Sequence, residues 1–370
     1  MDNVPIKGLC ELEVHLQQLN DDPSLPFQVD LLEDVELQLT EDNIPPLLPR
    51  LLPLLAGCLK ATAQDPTPLL SLTTKVLSPL SFTQRLEIAD PPSLLTALSS
   101  PLPGVNLLAF TIIRKAADSP SDVSILRALP NLVEEMVRCW LATESVDVGE
   151  LAARVLRELL ETDCDVPQYY AVDEQDSQTC VDSNETKTER RVPGHGQLWQ
   201  LIFSSRPILS LIQRYCSVEA ETTDGALPRA MHQVTISQGR LLRLLPRLCA
   251  MNYPVLGRCV YPDLFVLPSA EIGHLGQGLL QWAALGMVDR RDFLMNLNLI
   301  DFFETLVSIM RRCKRSSELD SLMGNMVKTA IRFDDSDHKV EVSLKTLPSR
   351  TVQEEAEPLR AYITDLLRVE

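Results

Sequence analysis

The chain has 370 residues, 45% hydrophobic and 23% charged, with a formal net charge of −17. That charge repels a phosphate backbone on average, and the sparse glycine (14 residues) argues against a fold dominated by phosphate loops or tight hairpins. Aromatics are scarce at 5% and Leu carries most of the apolar load, a composition that favours helices over a sandwich or barrel.

The first ten residues, MDNVPIKGLC, carry neither a basic stretch nor an apolar core, so no secretory signal is expected. No uncharged apolar run approaches the ~20 residues that span a bilayer. Charge is uneven along the chain. Acidic residues outnumber basic ones 11 to 3 over 1–60 and 9 to 3 over 161–193, whereas 194–333 is slightly basic, with 11 acidic against 15 basic residues. An acidic surface is either plain solvation or the counterpart of a basic partner.

Residues 44–61, IPPLLPRLLPLLAGCLKA, mix leucines with prolines. Pro45 and Pro46 can open a helix, and Pro49 still falls in its first turn, where the N–H groups have no internal partner. Pro53 interrupts the ladder and is expected to bend the helix, leaving Leu47, Leu48, Leu51, Leu52, Leu55 and Leu59 as an apolar face. This helix is expected to pair with 69–80.

A repeat then emerges. VNLLAFTIIRKA (105–116) aligns with VGELAARVLREL (148–159), matching Val105 with Val148, Leu108 with Leu151, Ala109 with Ala152, Ile112 with Val155 and Ile113 with Leu156. These positions form one face of an amphipathic helix, and the small alanine lets a neighbour approach closely. A fainter copy at 69–80 contributes Leu72, Val76 and Leu77. The stretch 128–161 shows a full unit: Leu-Pro opening, helix, short acidic turn, second helix. Helix pairs at about 40–47 residues are the signature of HEAT and armadillo arrays. The expected fold is all-α, a curved, C-shaped HEAT/armadillo-like solenoid of stacked helix pairs. Its expected organisation is N-terminal repeats over 1–162, an acidic mobile loop over 163–193, and C-terminal repeats over 194–370.

Helices are expected to resume over 197–216 and again near Thr235, with Ser237 as a cap. The stretch 289–315 reads as two helical pieces, 333–355 as a loop, and 356–369 as a last amphipathic helix. The run RRCKR (311–315) suits the end of a helix, where cations complement the dipole, or a patch for an acidic partner.

Chemistry-bearing motifs do not emerge. The five histidines lie outside metal-ligand spacing of one another and of paired cysteines, so neither a metal nor a cofactor is expected. The nine cysteines are unpatterned and read as reduced thiols in the cytosol or nucleus, with Cys58, Cys139 and Cys249 on apolar helical faces. GHLGQG (273–278) has the wrong glycine order for a dinucleotide fingerprint and reads as a loop. Catalytic residues are not expected, and the chain reads as a binding protein.

The repeat at 126–162, GQLWQLIF (196–203), TISQGRLLRLLPRL (235–248) and WAALGMVDRRDFLMNLNLIDFFETL (282–306) together resemble the fungal assembly chaperones of the proteasome regulatory particle, a family also described as DNA mismatch repair proteins. The resemblance implies a C-shaped solenoid that holds the C-terminal domain of one proteasomal AAA ATPase and guards the base against premature docking. Its partners would be that ATPase and base subcomplexes, with the cytoplasm as the expected location and the nucleus as a second one. It further implies that the second helix of each pair lines the concave face, with Lys75, Phe110, Arg114, Glu150, Arg154 and Arg157 as candidate partner-binding positions; Phe110 could equally be core. A general adaptor or transport-receptor solenoid and a DNA mismatch repair factor are the alternatives. Net charge and the missing DNA-binding motifs oppose the latter.

Overall fold

A computed structural model describes residues 6–165, 193–217, 230–267, 277–313, 317–333 and 339–368. Among these, all regular structure is helical, with eighteen α-helices and no strand. The chain divides into two compact units, Met1–Val155 and Leu156–Glu370.

The first unit contains α1 (Leu9–Asp21), α2 (Val29–Gln38), α3 (Leu48–Ala61), α4 (Thr67–Leu77), α5 (Phe82–Ile88), α6 (Pro91–Leu98), α7 (Pro103–Arg114), α8 (Pro120–Arg127), α9 (Pro130–Ala142) and the start of α10 (Val146–Thr162). Prolines punctuate it. Those of α3, α4, α6, α7, α8 and α9 sit at the first or second helical position, where a missing N–H forfeits no bond. Pro45 and Pro46 differ from expectation: they lie in turns ahead of α3, which starts only at Leu48. Pro53 is inside α3, as its place in the run implied.

Packing in this unit is between close neighbours in sequence: α1 on α3, α2 on α4, α3 on α4, and both α3 and α4 on α7. The expected pairing of 44–61 with 69–80 is therefore present as α3 on α4. The repeat alignment also holds at the level of burial. Val105, Ala109, Ile112 and Ile113 are buried, as are Val148, Ala152, Val155 and Leu156, while the matched Leu108 and Leu151 are both half-buried. Buried polar side chains close helix ends. Arg85 donates to the carbonyls of Leu77 (2.7 Å) and Thr111 (3.1 Å), and Asn106 donates to those of Ala97, Leu98 and Ser100. Burial pulls the Arg85 guanidinium down to about 10, partly countered by Asp118.

The second unit holds the end of α10, then α11 (Gln197–Ser204), α12 (Arg206–Cys216), α13 (Met231–Gly257), α14 (Leu279–Leu285), α15 (Phe293–Met310), α16 (Ser317–Arg332), α17 (Lys339–Thr346) and α18 (Gln353–Arg368). The division falls at 155/156, inside α10. The residues beyond it include Leu156, Leu159 and Leu160, all buried, and the Leu160 carbonyl accepts from the Trp199 indole at 2.8 Å. Here α13 packs on α15 and α15 on α17, while α14 packs on α16 and α16 on α18; α16 and α17 join the two files.

Three local expectations are corrected. Ser237 does not cap a helix start: α13 begins at Met231, and Ser237 is fully buried in its second turn, donating to the Gln233 carbonyl at 2.9 Å. The stretch 289–315 holds a single helix, α15, because Asp292 caps it and no breaker follows before Met310. Residues 339–350 are helical, with α17 running into a 3₁₀ turn over Leu347–Arg350, since Val340 and Leu344 four residues apart are buried. Helix α15 is long and apolar enough to cross a membrane by length and composition, yet it packs on α13 and α17 and carries Asp301 and Glu304. Glu304 is paired with Arg350 and bonded by Ser343.

Candidate functional site

Basic residues gather on α13. The sequence TISQGRLLRLLPRLCAMN places Arg240, Arg243 and Arg247 three and four residues apart, one helical face, while Leu241, Leu242, Leu244, Leu245 and Leu248 fill the opposite side. Beyond that stripe α13 loses regularity. Pro246 and Pro254 both lie within it, and Asn252 leaves helical geometry (φ −153°, ψ 72°) two residues before Pro254.

The stripe ends at an open cavity of about 530 Å³ within the second unit. Arg157 and Glu161, one turn apart on α10, form one wall with Cys164; Arg247 and Met251 come from α13; Ser308, Ile309 and Arg312 come from the end of α15. The lining thus holds three guanidinium groups, one carboxylate and the apolar side chains of Met251 and Ile309. Arg312 is paired with Glu355, which also meets Arg311 at 3.4 Å. Neither Arg157 nor Arg247 has an ion pair or side-chain hydrogen bond among the described residues. The Cys164 thiol faces the Met251 carbonyl at 3.6 Å.

Asp163, next to Cys164 in the chain, ties this segment to the start of α11. This carboxylate is fully buried, and its Oδ2 accepts from the N–H groups of Leu198 (2.6 Å) and Trp199 (3.2 Å), capping α11. Its carbonyl accepts from Gly196 N–H at 2.7 Å, and the Cys164 carbonyl accepts from Gly194 N–H at 2.9 Å. A Cβ on Gly194 would fall 2.1 Å from the Asp163 carbonyl carbon, and Gly196 adopts φ +64°, so both glycines are required where the chain returns at 193–196. Burial raises the Asp163 carboxyl above its usual range, against the pull of the N–H groups that bond it, Trp199 first.

Of the six candidate contact positions, Arg157 lines the cavity. Arg154, one turn earlier on α10, is exposed, as are Arg114 and Glu150; Lys75 is half-buried. Phe110 is fully buried and is a core side chain of α7, so it offers no surface to a partner. Sequence reasoning missed Arg247, Met251, Cys164 and Ser308. The only advance signals were the basic balance of 194–333 and the cationic run from Arg311.

Thiol environments follow burial. Cys58 and Cys313 are pushed up to about 11 by burial, and fully enclosed Cys249 further still; Cys10 and Cys259 are exposed. Among the described residues no three His, Cys, Asp or Glu side chains gather to hold a metal ion. The segments 166–192 and 271–276, which contain most of the expected acidic loop and of GHLGQG, lie outside the described residues, as does Cys180. Comparison with protein-family models and with curated proteins finds no match for this chain.

Proposed function

We propose that the chain is a non-catalytic protein-binding scaffold, a curved HEAT-like solenoid that assists assembly of the proteasome regulatory-particle base by holding the C-terminal domain of one AAA ATPase. The observation that carries the scaffold reading is the regular packing of the second unit, α13–α15–α17 in one file and α14–α16–α18 in the other. Helices that pack on the next and next-but-one element bury their apolar faces only by stacking, which leaves long outer surfaces for a partner. The matched burial of 105–116 and 148–159 supports the same repeat logic along α7 and α10. The ATPase client rests on the family resemblance of the sequence.

The test is a binding assay of the full chain against each isolated proteasomal ATPase C-terminal domain, alongside recovery of base subcomplexes from extract. One strong partner, with free base recovered and mature proteasomes excluded, is the expected result. Binding to none of the domains would remove the client while leaving the helical scaffold to be matched to another. Salt-sensitive binding to mismatched duplex DNA at physiological ionic strength would instead favour the repair alternative.

A further inference from the structure

We propose that the arginine-lined cavity of the second unit is a docking groove for an acidic peptide segment of a partner protein, one whose Asp or Glu side chains flank an apolar residue. This rests on the reading of the chain as a protein-binding scaffold and names the chemistry that its second unit selects.

Charge complementarity is the first argument. The chain carries −17 overall, yet Arg157, Arg247 and Arg312 converge on one cavity where Glu161 is the lone acidic side chain. Arg312 is already neutralised by Glu355, whereas Arg157 and Arg247 have no anionic partner among the described residues. Two unpaired guanidinium groups with planar donor forks are suited to carboxylates, which they bind in bidentate fashion. Arg240 and Arg243 extend the same positive face of α13 towards its N-terminus, so an extended segment would find cationic side chains beyond the cavity rim.

The apolar lining supplies the second argument. Met251 and Ile309 add apolar side chains to the arginine-bearing lining, and methionine adapts readily to different apolar shapes. A volume of about 530 Å³ accommodates a few side chains of an extended peptide. A nucleic acid fits less well: the lining holds no aromatic ring on which bases could stack, and the field of an acidic chain repels a long polyanion while admitting a short segment with few carboxylates.

The test uses the full chain and a fluorescein-labelled peptide of Glu and Leu residues with glycine spacers, followed by fluorescence anisotropy. A matched Gln/Leu peptide, a phosphoserine/Leu peptide and a duplex oligonucleotide are run beside it. The key variant is R157E/R247E, which alters two unpaired side chains and leaves the core untouched. The control, R127E/R332E, imposes the same change in net charge at two exposed residues that do not line the cavity. The expected result is binding of the Glu/Leu peptide that weakens by about 30-fold in the groove variant and by no more than about 2-fold in the control. The Gln/Leu peptide should not bind.

Equal binding of the Glu and Gln peptides, or equal loss in the two variants, would overturn the proposal. So would binding of only the phosphorylated peptide, which would make the groove a phosphate reader, or preferential binding of the duplex. The ATPase-domain assay on the same R157E/R247E protein separates the two claims. If the wild type and the variant both hold the ATPase domain but the acidic peptide is never bound, the groove assignment fails and the scaffold reading stands. If the peptide binds and no ATPase domain does, the client fails and the groove stands.

Discussion

Replacing Asp163 with alanine removes the acceptor for two N–H groups at the start of α11, both buried with it. Leaving a buried donor unsatisfied costs about 1–3 kcal/mol, and loss of an N-cap side chain costs about 0.5–2 kcal/mol. These figures describe the same bonds from two sides and are not summed. Removing a buried carboxylate also relieves its own desolvation, since Oδ1 has no partner among the described residues. The net expectation is a loss of about 2 kcal/mol for Asp163→Ala, and about half that for Asp163→Asn, whose amide oxygen still accepts from Leu198 and Trp199.

Urea unfolding of the full chain, followed by tryptophan fluorescence in a Trp140→Phe background, isolates this effect, because Trp199 and Trp282 then report on the second unit alone. With a slope of about 1–3 kcal/mol per molar urea, the alanine variant should lose its structure near 1 M earlier than the parent. A pH series adds a sign. The carboxyl is raised in the folded state, so its contribution is fully present below the ordinary carboxylate pKa and declines as pH rises through the folded value. The stability gap between parent and Asp163→Asn should therefore narrow with rising pH. A transition for Asp163→Ala coincident with the parent, or an asparagine variant as damaged as the alanine one, would refute the capping argument.

Four further outcomes concern His15, two glycines and the cysteines. His15 is buried and its Nε2 accepts from the Gln28 N–H at 3.1 Å; burial holds its pKa down, so the stability it contributes is present above the ordinary histidine pKa and lost as pH falls through the folded value. Thermal unfolding of the parent should lose stability below about pH 6, and His15→Leu should flatten that dependence. Gly194→Ala should destabilise the second unit in the same urea assay, because its new Cβ meets Asp163 backbone. Gly239→Ala, on α13, whose new Cβ would meet the Asn298 amide nitrogen at an ordinary contact distance of 4.0 Å, should stabilise by about 0.5–1 kcal/mol. Under native alkylation followed by peptide mass spectrometry, Cys10 and Cys259 should react first, with Cys58, Cys249 and Cys313 protected until unfolding.

Local periodicity made the helices and the repeated burial pattern legible. Val105, Ala109, Ile112 and Ile113 needed only a 3.6-residue spacing to be placed on a core face, and their counterparts in α10 followed by alignment. Ser237 misled because serine favours helix starts in isolation, whereas here its hydroxyl satisfies the Gln233 carbonyl inside a buried turn. Phe110 sits beside Ala109 on α7 and is as buried as its neighbour, because that helix is covered by α3, α4, α5 and α6. A helix packed on several sides buries residues that a single amphipathic stripe would leave outside.

The cavity was illegible for a different reason. Its walls come from residues 157–164, 247–251 and 308–312, and no local rule links those stretches. The packing of α13 on α15 brings the second and third stretches together, and the Cys164 thiol on the Met251 carbonyl ties in the first. Each arginine has an ordinary local justification: Arg157 and Arg247 lie on outer faces of amphipathic helices, and Arg312 follows the end of α15, where a cation suits the dipole. Only their convergence is unusual. Like charges brought together without counterions raise the energy of the folded state, and a chain with 51 acidic residues had ample means to neutralise them, as Glu355 does for Arg312. Reversing Arg157 or Arg247 should therefore leave stability unchanged or slightly improved, by up to about 0.5 kcal/mol, while weakening capture of an acidic partner. A measurable loss of stability on reversal would mean that these arginines serve the fold, and that the cavity owes its charge to packing alone.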